Sequence, residues 1–284
     1  DLKNGGSLYV KNVTGDIKIT GWNKDKIEID MVRKGRRDDI EVYIDRRGNR
    51  IDIEVDYPDR DYRDNWSGRN NSGSVHFNIS VPVETELELK NATGDIIVSK
   101  INSRIEANTA TGDVEIREIK GNVYGHTATG AVKLYDIDGE VDGHSATGRI
   151  SIKNTGDVKA HCATGRIDIL NTNGSDVDAS VSTGDIEIEL ENVNERGRYD
   201  FSSSTGDVML VIPANTKADI TARAKPRNFS SDFDIFEDED DRYRNRRSRY
   251  YNRNSRRTYH GVLNGGGARI DLSTSSGDLD IRKR

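Results

Sequence analysis

Apolar and polar residues alternate along most of this chain, and one short phrase punctuates the alternation: a small residue, a polar residue, then Val or Ile. Between residues 94 and 188 it begins at Gly94, Ser103, Gly112, Gly121, Gly130, Gly139, Gly148, Gly156, Gly165, Ser175 and Gly184. The steps are nine residues, apart from one of eight and one of ten. Thr precedes every second copy, at Thr93, Thr111, Thr129, Thr147, Thr164, Thr183 and later Thr205. The full unit is therefore about eighteen residues long, in two unlike halves, and a fixed period of this kind marks a solenoid.

One unit, Thr111 to Gly130, carries the argument. Val114 and Ile116 alternate with Glu115 and Arg117, the period of two of a half-buried strand. Ile119 points into a corner, and Lys120-Gly121 turns the chain. In the second half the inward positions are Val123, Gly125 and Thr127. Later units set Ile150 and Ile152 against Val158, Ala160 and Cys162, and Ile186 and Ile188 after Val177, Ala179 and Val181. Large opposite small lets two sheets close on a thin interior. Stacked coils in parallel register, roughly 4.8 Å apart, bury what one coil cannot. The Thr side chains are expected to hydrogen-bond to their equivalents one coil away, as a ladder along the edge.

The sequence thus predicts an all-β fold: a β-solenoid with two strands per coil. Residues 1–20 hold the first half-repeats, opening at Gly6 and Gly15. Residues 21–84 read as an antiparallel meander, with strands near 26–32, 40–44, 51–55 and 75–81, that covers one end of the stack. Its polar loop, 57–73, contains Trp66. Coils fill 85–225, a charged insertion fills 226–260, and solenoid strands return at 261–284. In the insertion an acidic block with Asp238, Glu239 and Asp240 precedes a basic one with Arg244, Arg246 and Arg247, interleaved with tyrosines such as Tyr250.

Composition fits a thin fold. Charged residues are 32% and hydrophobic residues 33% of 284, too polar for a thick core, while the alternation is too regular for disorder. The net charge of −6 is mixed along the chain, so no nucleic-acid partner is expected. No apolar run is long enough for a transmembrane helix. The single cysteine, Cys162, sits in the inward column with Thr109, Thr127, Ser145 and Val181, so it reads as a small core residue and no intrachain disulfide can form. A chain opening on Asp1 fits a mature product after loss of a signal segment, and fits trimming equally.

The Thr-Gly-Asp-hydrophobic ladder, the Val81-Pro82 step into it, the run Gly261-Val262-Leu263-Asn264-Gly265-Gly266-Gly267 and the closing Ser276-Gly277-Asp278-Leu279-Asp280-Ile281 together resemble a bacterial family of β-strand-repeat proteins that carries an adhesin label, itself a domain of unknown function. The likeness covers nearly the whole chain. It implies an exported β-solenoid and supplies no catalytic residues. The acid-then-arginine insertion is where this chain is expected to depart from such relatives.

The search for chemistry gives little. Carboxylates are many but follow the coil period, and no phosphate loop, zinc-type cysteine pair or nucleophile elbow occurs. The chain is therefore expected not to be an enzyme and to need no cofactor. His126, His144 and His161 fall in one outward column, flanked by Asn108 and Ser180, and are candidate metal ligands. Plain stacking on a polar face is the preferred reading, because a straight ladder lacks tetrahedral convergence. The Arg/Tyr block could bind an anion, but its acidic neighbour makes pairing within or between chains the better reading. The functional expectation is an extracellular or cell-surface structural protein, adhesin-like, whose partner is itself, as oligomer or head-to-tail filament, or surface glycans and proteins. Contacts are assigned to Asp238, Glu239, Asp240, Arg244, Arg246, Arg247, Tyr250 and Trp66. The alternatives are a carbohydrate-binding module, with Trp66, Tyr57, Tyr62 and Tyr250 as sugar platforms, and a polysaccharide-active enzyme.

Overall fold

The computed structural model describes residues 2–35, 39–58, 73–238 and 255–284, and every regular element among them is a β-strand. The chain divides into two compact units, Asp1–Lys133 with Ile137–Gly139, and Leu134–Asp136 with Glu140–Arg284.

The first unit contains β1 (Ser7–Thr14), β2 (Ile17–Trp22), β3 (Glu28–Gly35), β4 (Glu41–Arg47), β5 (Arg50–Asp56), β6 (Gly73–Pro82), β7 (Glu86–Thr93), β8 (Ile96–Ile101), β9 (Ile105–Thr111), β10 (Val114–Lys120) and β11 (Val123–Thr129). The residues of β12 (Val132–Asp138) are divided between the units. From β7 onward each strand lies parallel to the next but one, with like residues in register. Val114 pairs with Ile96 and Ile116 with Val98, while Val123 pairs with Ile105 and Thr127 with Thr109. The offset is eighteen residues, as in the bond from the Asp113 amide to Asp95. Val114, Ile116, Ile119, Val123 and Thr127 are all buried, so the alternation does place every second side chain inside. Burying each such aliphatic side chain is worth about 1.5–3 kcal/mol.

The expected meander forms differently. β3, β4, β5 and β6 occupy the predicted places, but β3 pairs antiparallel with β6 and β4 with β5. β5 in turn runs parallel to β1, and β6 parallel to β2. The reason lies in the side chains. Ile51, Ile53 and Val55, and Val75, Phe77, Ile79 and Val81, form the same buried alternate face as the repeat strands, so β5 and β6 stack as a further coil. On β3 and β4 only Ile29 and Val42 are even half-buried, and these strands are left outermost. In consequence β1 and β2 are not an outer layer. β1 lies between β5 and β7, and β2 between β6 and β8.

The second unit contains β13 (Val141–Thr155), β14 (Val158–Leu170), β15 (Asp176–Thr183), β16 (Ile186–Glu189), β17 (Arg198–Thr205), β18 (Val208–Ile212), β19 (Ala218–Ala224), β20 (Phe229–Ser231), β21 (Phe236–Glu237), β22 (Arg257–Leu263), β23 (Ala268–Ser276) and β24 (Leu279–Lys283). Here too the chain threads back. β23 inserts in parallel between β17 and β19, and β24 between β18 and β20. β22 then closes β19 antiparallel, with β21 on its far side. The inward column departs from small residues at Tyr199 and Phe201, both buried. The Tyr199 hydroxyl donates to the Gly174 carbonyl at 3.1 Å and accepts the Asn194 amide at 3.0 Å. Burial pushes its pKa up.

Candidate functional site

Three surface features carry polar groups close together, and the first is built on the turn that follows each Thr-Gly. The expected Thr side-chain ladder is replaced there by two other rows. Along the turn it is the Thr carbonyl that bonds to the next coil, as in Gly94 N–H to Thr111 O at 2.8 Å and Gly112 N–H to Thr129 O at 3.0 Å. The Asp after the glycine makes the second contact. Asp16 accepts the Asp95 amide at 3.1 Å, Asp95 the Asp113 amide at 2.8 Å, and Asp113 the Ala131 amide at 2.8 Å. Behind them an inward row donates to the glycine carbonyls: Asn91 to Gly15 at 2.8 Å, Thr109 to Gly94 at 3.1 Å and Thr127 to Gly112 at 2.9 Å. The sequence signal for the aspartate row was the Asp of Thr-Gly-Asp itself, whose short carboxylate is suited to bonding nearby backbone amides.

In the second unit the same row forms one wall of a groove of about 270 Å³ lined by Asp185, Asp207, Asp278, Glu187, Arg166 and Met209 among others. Its carboxylates are already hydrogen-bonded. Asp185 accepts the Asp207 amide at 3.0 Å, Asp207 the Asp278 amide at 2.7 Å, and Asp278 the Asn228 side-chain amide at 2.6 Å. Arg166 binds Asp168 at 2.6 Å and also meets Glu187. Bonding to Asp168, set against burial, raises the Arg166 pKa. These bonds tie neighbouring strands together along the groove.

The histidines form the second feature. In the first unit His126 is exposed and pairs in register with Asn108. In the second, His144 pairs with His161 and His161 with Ser180. The two rings are 4.9 Å apart at 46°. Nδ1 of His161 lies 2.6 Å from Ser180 Oγ, and Nε2 of His144 lies 2.7 Å from Asp142 Oδ1. Each of these two imidazoles thus has a hydroxyl or carboxylate neighbour on its own sheet. Among the described residues no three His, Cys, Asp or Glu side chains gather in a metal-binding group. Cys162 is buried, and burial raises its thiol pKa although the Gly148 and Thr164 backbone groups pull it down.

The third feature is the charged insertion. Of the contact residues assigned from sequence, Asp238 is described, with its carboxylate 3.4 Å from His260 Nε2. Glu239, Asp240, Arg244, Arg246, Arg247, Tyr250 and Trp66 lie outside the described residues, as does Tyr62. At the root of the insertion its acidic and basic halves meet: Arg257 Nη1 donates to both Glu237 oxygens at 2.8 Å, and both side chains are largely buried. Phe229 stacks on Tyr259 at 4.1 Å beside that pair. The Tyr57 hydroxyl is within 3.4 Å of the Thr14 carbonyl and 3.3 Å of the Gly73 carbonyl, so it is bonded to its own chain.

These features define an all-β protein of in-register parallel strands held by side-chain-to-backbone rows at its turns. The chain belongs to the Toastrack DUF4097 family, whose profile matches residues 7–282. Among solved structures it is similar to a crystal structure described as a putative cell adhesion protein from Clostridium sporogenes, at 10% identity and a TM-score of 0.23, over 99% of this chain and 94% of the other. No curated protein matches it. Among the described residues no helix is long and apolar enough to cross a membrane.

Proposed function

We propose that this chain is a non-enzymatic, exported β-solenoid of about eighteen residues and two strands per coil, an adhesin-like structural element at the cell surface or in an extracellular assembly. Its outermost strands make its contacts, with further copies of itself first. The carrying observation is the apolar surface on those strands: Met31, Val32, Tyr43 and Ile44 are 40%, 53%, 54% and 57% exposed, and Phe236 and Val262 are 66% and 67% exposed. An open strand edge that also exposes large apolar side chains is a template for another chain. Joining unlike edges head to tail would give an open filament. The absence of an enzymatic role is supported by the way its clustered carboxylates are engaged with amides and guanidinium groups.

Electron microscopy and sedimentation of the purified protein across salt and pH test this reading. Discrete oligomers or filaments are the expected result. Monodisperse monomers under every condition would overturn it. Surface biotinylation of intact cells tests the export, with labelling expected.

A further inference from the structure

β3 and β4 share a charge pattern that runs from acid to base. β3 opens with Glu28 and Asp30, carries Met31 and Val32 at its centre, and closes with Arg33 and Lys34. β4 opens with Glu41, carries Tyr43 and Ile44 at its centre, and ends in Arg46 and Arg47 after Asp45. β3 is paired with β6 and β4 with β5 on one side, and among the described residues no strand pairs with the other. Edge strands that resist pairing are commonly blunted by charged side chains, Pro or a bulge. These two instead carry opposite charges at opposite ends, the arrangement that matches a strand with a reversed copy of itself.

The register follows from symmetry. In an antiparallel pair, opposed residues point to the same side of the sheet. A two-fold axis between two copies of one strand must therefore pass through a residue opposite itself. With Met31 on that axis, Glu28 faces Lys34 of the second copy, Ile29 faces Arg33, and Asp30 faces Val32. With Ile44 on the axis of β4, Glu41 faces Arg47 and Val42 faces Arg46. Both arrangements give two unlike-charge pairs flanking an apolar centre, and opposed unlike charges favour a strand pair where like charges break it. The local partners of these charges yield easily. Lys26 is 3.5 Å from Glu28 with both side chains more than half exposed, and the Arg47–Asp45 pair is exposed likewise. Such pairs exchange at little cost.

We infer that the outer edge of the first unit is a self-recognition surface: two copies join edge to edge through β3, antiparallel about Met31. The inference rests on the reading that outer strands carry the contacts. It differs from that reading in joining like edges, so that this contact closes as a pair and does not propagate.

Charge exchange tests it on the full chain. In sedimentation velocity, Glu28→Lys and Lys34→Glu are each expected to weaken the dimer about tenfold, because each homodimer then opposes like charges twice. An equimolar mixture of the two variants is expected to restore the dimer, since each unlike pair is re-formed between different chains. Independently, Met31→Cys is expected to cross-link to itself on mild oxidation, because opposed Cα atoms lie about 4.5–5.5 Å apart, within disulfide reach. Asp30→Cys, facing Val32, is expected to cross-link far less. The buried Cys162 gives little background. Circular dichroism checks that the variants fold, and all four sites are exposed. Assemblies that form but ignore both charge variants, with no Met31→Cys cross-link, would sink the self-pairing and leave the broader reading standing. Monomers throughout, with no cross-link, would sink both.

Discussion

Two corners of the coil solve one problem with different residues. The corner after each Thr is built on glycine, with φ of 130° at Gly94, 137° at Gly112 and 145° at Gly130. The corner near the end of the following strand also turns left-handed, yet it holds Lys100, Glu118, Asp136, Asn154 and Asn171, with φ between 54° and 62°. Positive φ alone therefore does not dictate glycine here. Left-handed α backbone is open to L-residues at a cost of about 1–2 kcal/mol, and Asn and Asp lower it through local hydrogen bonds. What separates the corners is φ well beyond that region together with close approach. A Cβ on Gly112 would lie 2.2 Å from the Gly94 carbonyl oxygen, and one on Gly94 would lie 2.3 Å from that of Gly15. The glycine corner is where successive coils touch backbone to backbone.

The sharpest way to break this contrast is Gly112→Ala. Strain at that φ and a clash with a backbone atom that cannot rotate away are expected to cost on the order of 4 kcal/mol. Gly48, in the hairpin between β4 and β5, has φ of 64° and nothing within 4 Å of a built Cβ. Gly48→Ala is expected to cost about 1 kcal/mol, from the backbone alone. Urea denaturation followed by circular dichroism compares the two. Equal losses would mean that coil-to-coil contact contributes nothing at the glycine corner.

Next in size is the row behind that corner. Thr127→Val keeps the shape of a buried side chain but removes the 2.9 Å bond to the Gly112 carbonyl, and is expected to cost about 1–2 kcal/mol. The second unit offers the reverse experiment. Val181 stands in the same inward column, between Cys162 and Ser203. Val181→Thr supplies a donor there and is expected to be neutral or stabilising in the same urea assay.

How much of this was legible beforehand differs between the corners and the ends of the units. Val114, Ile116, Val123, Gly125 and Thr127 announced their burial, because one face of a strand repeats every second residue and nothing competes with that signal. The position of the Ile119 corner was legible too. Its backbone angle was not, since Lys100 and Glu118 are not residues that advertise left-handed turns. The aspartate row was misread as a Thr row, because both residues can bond along an edge and only coordinates tell which one lies nearer the next amide. The order of the outer layers was hidden for another reason. Spacing in sequence reports which residues are equivalent, but not which of two equivalent strands, β5 or β7, takes each side of β1. Of the sites assigned from sequence, His144 and His161 are neighbours in register in the second unit and His126 stands opposite Asn108 in the first, whereas the polar residues of the insertion lie for the most part outside the described residues.

The non-glycine corner gives a smaller test with the opposite sign. Glu118 sits at φ 57° on β10. Glu118→Gly relieves the left-handed strain, against the greater freedom that glycine gains in the unfolded chain, and is expected to stabilise by about 0.5–1 kcal/mol. Glu118→Asn is expected to fall between the two. Destabilisation by glycine here would mean that the Glu118 side chain contributes more than its backbone strain costs.

The smallest effect concerns charge at the glycine corner. Burial by itself would raise the Asp113 pKa, but the Ala131 amide and the ammonium of Lys133, 2.9 Å away, outweigh it and hold the group below the usual carboxylate value. A carboxylate whose pKa is lower in the folded chain stabilises the fold above its unfolded pKa, about 3.9, and loses that contribution as pH falls through the lower folded value. Asp113→Asn keeps an oxygen for the Ala131 amide and removes the charge. The gap in urea midpoint between the native chain and this variant is therefore expected to be widest well above that unfolded value and to close as pH falls through the lower folded one. With the Asp113 side chain 40% exposed, solvent screening limits the gap to about a few tenths of a kcal/mol. A gap that stayed constant across that range would assign the whole role of Asp113 to its neutral hydrogen bond. The aspartate row would then act through amide geometry alone, as the Thr carbonyls beside it do.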